Sequence, residues 1–185
     1  MNKEELTVAA TKIAVKIIKK SEGFVPFAYA DPASALGKAI QGHNQWNAYL
    51  QGKFVVPKEW EKLSGAPLTL GYGETKNVKK GDTITLQEAE ARLSARVREF
   101  MEGVLKVSPE LLKQSPERLA AVTSLSYNIG LGAYKDSTVA KKIAVQDWVG
   151  AAEAFKMWNK AGNQVLQGLV NRRKEEADLF LSVRG

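Results

Sequence analysis

No cysteine occurs among the 185 residues, and His43 is the only histidine. Disulfides, thiolate zinc sites, cysteine nucleophiles and a histidine metal cluster are thereby excluded, while the redox compartment stays unconstrained. No metal and no cofactor is expected. Low-complexity tracts are also missing, since no glycine-, proline- or glutamine-rich stretch is long enough to suggest disorder. Runs of like charge never exceed three residues and are not interleaved with stacking aromatics, so nucleic acid is not an expected partner. The most apolar segment, Leu6 to Ile18, is interrupted by Lys12 and Lys16 and falls short of the ~20 residues a membrane span needs. No small-residue cleavage site follows it, so it reads as neither an integral membrane segment nor a secretory signal.

What remains is an ordinary globular composition, 44% apolar and 25% charged. A chain of this size buries roughly two thirds of its unfolded surface and needs no staples. A single domain over residues 1–185 is expected, with a monomer as the default state. Lys and Arg total 27 against 20 Asp and Glu, a net charge of +7 that favours a polyanionic partner. Nucleic acid, anionic lipid and the bacterial wall all meet that description, and charge alone does not choose among them.

Leu6, Ala9, Ala10, Ile13, Ala14, Ile17 and Ile18 recur at helical spacing opposite a lysine-rich face, which predicts an amphipathic helix ending near Ser21. Gly23 to Asp31 carries Phe24, Phe27 and Tyr29 around Pro26 and ends in Asp31-Pro32, so it reads as loop and short strand. A second strand pair is expected within Leu68 to Val78, where Gly71 and Gly73 permit tight turns or close approach of a ligand to the backbone. Thr85-Leu86-Gln87-Glu88 is a capping box, followed by an apolar stripe through Leu86, Ala89, Leu93, Val97, Phe100, Met101 and Val104. Further helices should start at Ser115-Pro116, Ser137 and Asp147. Gly130 should close the helix running through Asn128, and an amphipathic helix should end the chain. The fold class is therefore α+β: a helix over 1–21, a small β lobe over 22–82 and a helical lobe over 83–185. Pro32 to Pro67 is too long for an ordinary connection and reads as a flap or inserted subdomain, carrying His43, Trp46, Tyr49, Phe54 and Trp60.

Glycosidic hydrolysis needs an acid for the leaving oxygen and a second carboxylate that activates water or attacks the anomeric carbon. Glu22 follows the first helix among Phe24, Phe27 and Tyr29, an apolar wall suited to desolvating a general acid. Asp31 stands nine residues later. Spacing alone leaves the pair undecided, because an acid after a helix and an Asp-Pro turn are commonplace.

The motifs say more. Ser21-Glu22-Gly23-Phe24, Ala28-Tyr29-Ala30-Asp31 and Leu68-Thr69-Leu70-Gly71-Tyr72-Gly73 together resemble the catalytic signature of the phage-type lysozymes, glycoside hydrolase family 24. Leu125 to Gly130, Ser137-Thr138-Val139 and Gly168 to Arg173 through Leu179-Phe180 continue the resemblance. It implies a lysozyme-like fold and a muramidase that hydrolyses the β-1,4 bond between N-acetylmuramic acid and N-acetylglucosamine in peptidoglycan. It further implies Glu22 as general acid, with Asp31 and Thr69 holding the attacking water and an inverting outcome. Inversion requires carboxyl groups ~6.5–9.5 Å apart, whereas a nucleophilic mechanism needs ~5–5.5 Å. Such an enzyme works in host lysis or wall penetration, leaving the host cytoplasm through a holin pore or travelling with the virion to act at the wall, in the periplasm.

Two departures from the family pattern stand out. Thirty-seven residues separate Asp31 from Thr69 where the family uses a short turn, which implies an insertion of roughly 33–66. Its Trp46, Tyr49 and Trp60 either stack on sugar rings or form a small core for the insertion; His43 reads as an ordinary residue of it. Glu74 replaces a common histidine and either raises the pKa of Glu22 or faces solvent. Arg172 matches a family arginine that approaches the glutamate, the alternative being a helix-surface salt bridge with Glu175 or Glu176. Tyr29, Gly71, Gly73 and Glu74 are expected in the cleft, while Tyr127, Trp148 and Trp158 are expected in the core. Two other functions remain: a lytic transglycosylase on the same bond, and a non-catalytic wall-binding or virion structural module.

Overall fold

The computed structural model describes residues 1–182, which fall into two compact units. One comprises residues 1–21 and, as far as they are described, 93–182, the other residues 22–92.

In the first unit, α1 (Lys3–Glu22, its last residue belonging to the second unit) buries Leu6, Ala10, Thr11, Ala14 and Ile18 along one stripe. Asn2 and Glu5 cap it reciprocally, each side chain accepting the other's backbone N–H at 2.9 Å. Glu4 and Glu5 in the first turn and Lys19 and Lys20 in the last suit the helix dipole.

The second unit opens with β1 (Val25–Ala30), followed by α2 (Ala35–Gly42) and α3 (Trp46–Leu50). A single 3-10 turn, Lys58–Trp60, precedes β2 (Leu68–Gly71). The flap is thus partly helical, with Ile40 fully buried as its core residue. Sequence reading missed α2 and α3 because runs this short carry too few turns for a periodic signal. The strand pair expected within Leu68 to Val78 is also corrected. Strand β2 pairs antiparallel with β1 across the insertion, and Leu70 and Glu74 close only a tight turn between themselves.

Helix α4 (Leu86–Val107) starts at the expected capping box: Glu88 Oε2 accepts the Thr85 N–H at 3.0 Å, and Thr85 Oγ1 accepts the Glu88 N–H at 3.2 Å. Its stripe of Leu93, Val97, Met101 and Val104 is buried in the first unit, but Leu86 is half exposed and lies off it. After a 3-10 segment (Pro109–Lys113) come α5 (Pro116–Ile129), α6 (Leu131–Asp136), α7 (Thr138–Ala144) and α8 (Trp148–Phe155). The side chains of Ser115, Ser137 and Asp147 cap α5, α7 and α8 as expected. Gly130, at φ 87°, ends α5 one residue later than read from the sequence. A hairpin of β3 (Lys160–Ala161) and β4 (Gln164–Val165) leads into α9 (Gln167–Leu181). Buried Leu119 to Ser126 of α5 pack against α9, where Phe180 meets Phe155 and Trp148. Trp148 and Tyr127 sit in aromatic contacts of this unit, the former beneath Arg118 and the latter beside Phe100. Trp158 lies just past α8 and is only half buried. Among the described residues, no helix is long and apolar enough to cross a membrane, and no acidic, histidine or cysteine cluster is suited to a metal.

Candidate active site

Within the second unit the β1–β2 register sets Tyr29 opposite Thr69 and Ala30 opposite Leu68. Directly opposed residues present their side chains on one face, so the Tyr29 phenol and the buried Thr69 hydroxyl meet there. The phenol is held above its ordinary pKa of 10.0, first by burial and then by the negative charges of Glu22 and Asp31, while a hydrogen bond with Thr69 acts in the opposite sense. One phenol therefore feels all three residues singled out as catalytic. Glu22 and Asp31, nine residues apart along the chain, converge because α1 ends at Glu22 and β1 carries the chain past Tyr29 to Asp31.

Glu22 is half buried and lies against the turn after β2. Gly73 has φ 81°, and a Cβ placed there would stand 3.3 Å from Glu22 Oε2. Gly71, at φ 62°, makes the other left-handed bend, where a Cβ would press on Ala89 at 3.3 Å. Reciprocal hydrogen bonds close the turn, Leu70 N–H to the Glu74 carbonyl at 2.8 Å and Glu74 N–H to the Leu70 carbonyl at 3.0 Å. Phe24 packs on Tyr72 at 5.5 Å beside it. Asp31 is half buried and its Oδ1 accepts the Ala33 N–H at 2.7 Å.

Around these groups the structure sorts the remaining candidates. Glu74 neither stands alone nor simply faces solvent, since Arg92 pairs with it at 3.3 Å. Trp46 reaches the site, its ring edge-on to Tyr29 at 6.4 Å. Trp60 sits apart from that pair in a second aromatic group of the insertion, 4.6 Å from His43 and 6.1 Å from Phe54. Arg172 belongs to the other unit, on α9, where its Nε lies 3.2 Å from Glu176 Oε1. Both partners are buried, so this ion pair is not the helix-surface bridge the sequence offered as an alternative. Two contacts escaped sequence reasoning, although Tyr49 itself was named as an aromatic of the insertion. The Tyr49 hydroxyl accepts the Ala30 N–H at 2.9 Å, and Ser34 caps α2 while donating to the Asp31 carbonyl at 2.6 Å. Ser34 carried a legible signal, a serine just ahead of Ala35-Leu36; Tyr49 carried none, because its partner lies 19 residues away.

A sequence model of the family described as phage lysozyme matches residues 55–176, well over half of the chain. The chain belongs to the phage lysozyme family. It is 41% identical over 121 residues to an endolysin of Acyrthosiphon pisum secondary endosymbiont phage 1, covering 62% of this chain and 80% of that protein. An endolysin of Bacillus phage B103 is 39% identical over 115 residues, and the match spans 62% of this chain but only 43% of that relative's length. In three dimensions the endolysin from Escherichia coli O157:H7 phage FAHEc1 superposes with a TM-score of 0.67 at 30% identity over 92% of each chain. The fold is accordingly lysozyme-like. The family match includes Thr69, Gly71, Gly73, Glu74 and Arg172 but begins beyond Glu22 and Asp31, which rest on their motifs and on their convergence at Tyr29.

Proposed function

We propose that this family member is a muramidase that hydrolyses the β-1,4 bond between N-acetylmuramic acid and N-acetylglucosamine in peptidoglycan. The observation that carries the reading is the gathering of Glu22, Asp31 and Thr69 about the Tyr29 phenol, on elements that hold each of them in place. Glu22 donates its proton to the leaving glycosidic oxygen. Asp31 and Thr69 orient a water on the opposite face of the sugar, Asp31 taking its proton as the oxygen bonds to the anomeric carbon with inversion. Tyr29, with its pKa raised, stays neutral at working pH and supports Thr69 without adding a charge between the carboxylates. The protein acts as a monomer at the bacterial wall, reached from the host cytoplasm through a holin pore or by virion delivery.

Mass spectrometry of fragments released from purified peptidoglycan by the wild type and by Glu22→Gln tests this. Reducing muropeptides from the wild type and none from the variant are expected. Anhydro-muramyl ends would instead make the protein a lytic transglycosylase, and no fragments from the wild type would favour a binding module.

A further inference from the structure

We propose that the insertion between Pro32 and Pro67 is a brace that fixes Asp31, with Tyr49 as its positioning residue. The inference builds on the reading of Asp31 as a catalytic carboxylate.

Every buried backbone donor at the end of β1 needs an acceptor, and the insertion supplies them. One edge of β1 pairs with residues 82–84: the Ala28 N–H donates to the Asp82 carbonyl at 2.8 Å, and the Ile84 N–H donates to the Pro26 carbonyl at 2.9 Å. Ala30 supplies the next donor on that edge, it is fully buried, and its N–H goes to the Tyr49 hydroxyl. From the other edge the Asp31 N–H donates to the Gly65 carbonyl at 2.9 Å. Both amides that lead the chain into the carboxylate therefore end on the insertion. The Asp31 carbonyl is held there as well, accepting the Ser34 N–H at 3.0 Å and the Ser34 hydroxyl at 2.6 Å. Helix α2 closes on that carbonyl so tightly that a Cβ at Gly37 would stand 2.1 Å from the oxygen. Tyr49 is itself fixed, its ring 5.7 Å from Trp46, and Trp46 in turn lies edge-on against Tyr29. A five-residue helix thus holds both the last amide of β1 and the phenol at the centre of the site. A flexible flap would make none of these contacts with the strand end.

Tyr49→Phe keeps the ring and deletes the acceptor. With soluble uncrosslinked glycan strands as substrate, kcat should fall about tenfold while KM stays within about twofold. In the same variant the Ala30 amide should exchange faster by NMR, the Asp31 carboxyl resonance should shift, and the melting temperature should fall by only a few degrees, the protein staying folded at the assay temperature. Gly37→Ala, which pushes on the Asp31 carbonyl with Tyr49 intact, should lower kcat in the same way. An unchanged kcat and Asp31 resonance in both variants would overturn the brace. So would a loss of kcat that merely tracks a lowered melting temperature, since that marks a structural role only. Should the wild type release no fragments, the proposed function fails; the Ala30 exchange and the Asp31 resonance then judge the brace by themselves.

Discussion

At the scale of single residues, the geometry around Glu22 separates backbone strain from displacement of the carboxylate. Gly73 and Gly81 both adopt left-handed φ values, 81° and 92°, but only at Gly73 would a Cβ meet a neighbour, Glu22 Oε2 at 3.3 Å. Alanine at either position should cost about 1 kcal/mol of stability by urea denaturation. Turnover should fall at least about tenfold for Gly73→Ala and stay near wild type for Gly81→Ala, because only the first moves the acid. Equal turnover in the two variants would mean that Glu22 tolerates displacement. Tyr29 gives a pH signature. Its folded pKa lies above the ordinary 10.0, so the native state holds the phenol proton more tightly than the unfolded chain does. That contribution is complete below pH 10.0 and is lost as pH rises through the folded value. Urea midpoints at ~pH 9 and ~pH 11 should therefore fall further for the wild type than for Tyr29→Phe.

Among the elements, α9 is anchored by charge as well as by apolar packing. Glu176 is fully buried, with Arg173 Nε at 2.9 Å, Arg172 Nε at 3.2 Å and the Ser124 hydroxyl of α5 at 2.6 Å. Removing one member of a buried ion pair leaves its partner's charge uncompensated. Glu176→Gln should accordingly destabilise the protein by about 3–5 kcal/mol in urea denaturation. A loss near zero would show that the guanidinium groups find other partners. Helix starts were legible because they are local: the Thr85–Glu88 box and the caps Ser115, Ser137 and Asp147 each span one turn of chain. The hairpin at Lys160 to Val165 had a readable signal too, Gly162-Asn163 between its strands, but strands of two residues have no alternation to mark them. No such signal exists for the β1–β2 pairing, whose turn is replaced by the whole insertion.

For the molecule as a whole, the net charge of +7 predicts how it meets an anionic wall. Sedimentation with purified cell walls should weaken as ionic strength rises from about 0.01 M to about 1 M, where the screening length shrinks from roughly 30 Å to roughly 3 Å. Binding insensitive to salt would assign recognition to the sugars rather than to charge.

The sequence by itself pointed to the residues proposed to carry the chemistry and marked where α4, α5, α7 and α8 begin, since motifs and caps are short-range features written in adjacent letters. It also showed a long segment between Asp31 and Thr69. Only the tertiary structure decided what surrounds those residues: that Glu74 is tied to Arg92, that Arg172 is buried with Glu176, and that Trp46 rather than Trp60 reaches Tyr29. It alone decided that the insertion grips the end of β1. Each of these depends on a partner more than a dozen residues away or on a choice between neighbours of equal chemistry. Packing and backbone hydrogen-bond satisfaction make that choice once the chain is folded.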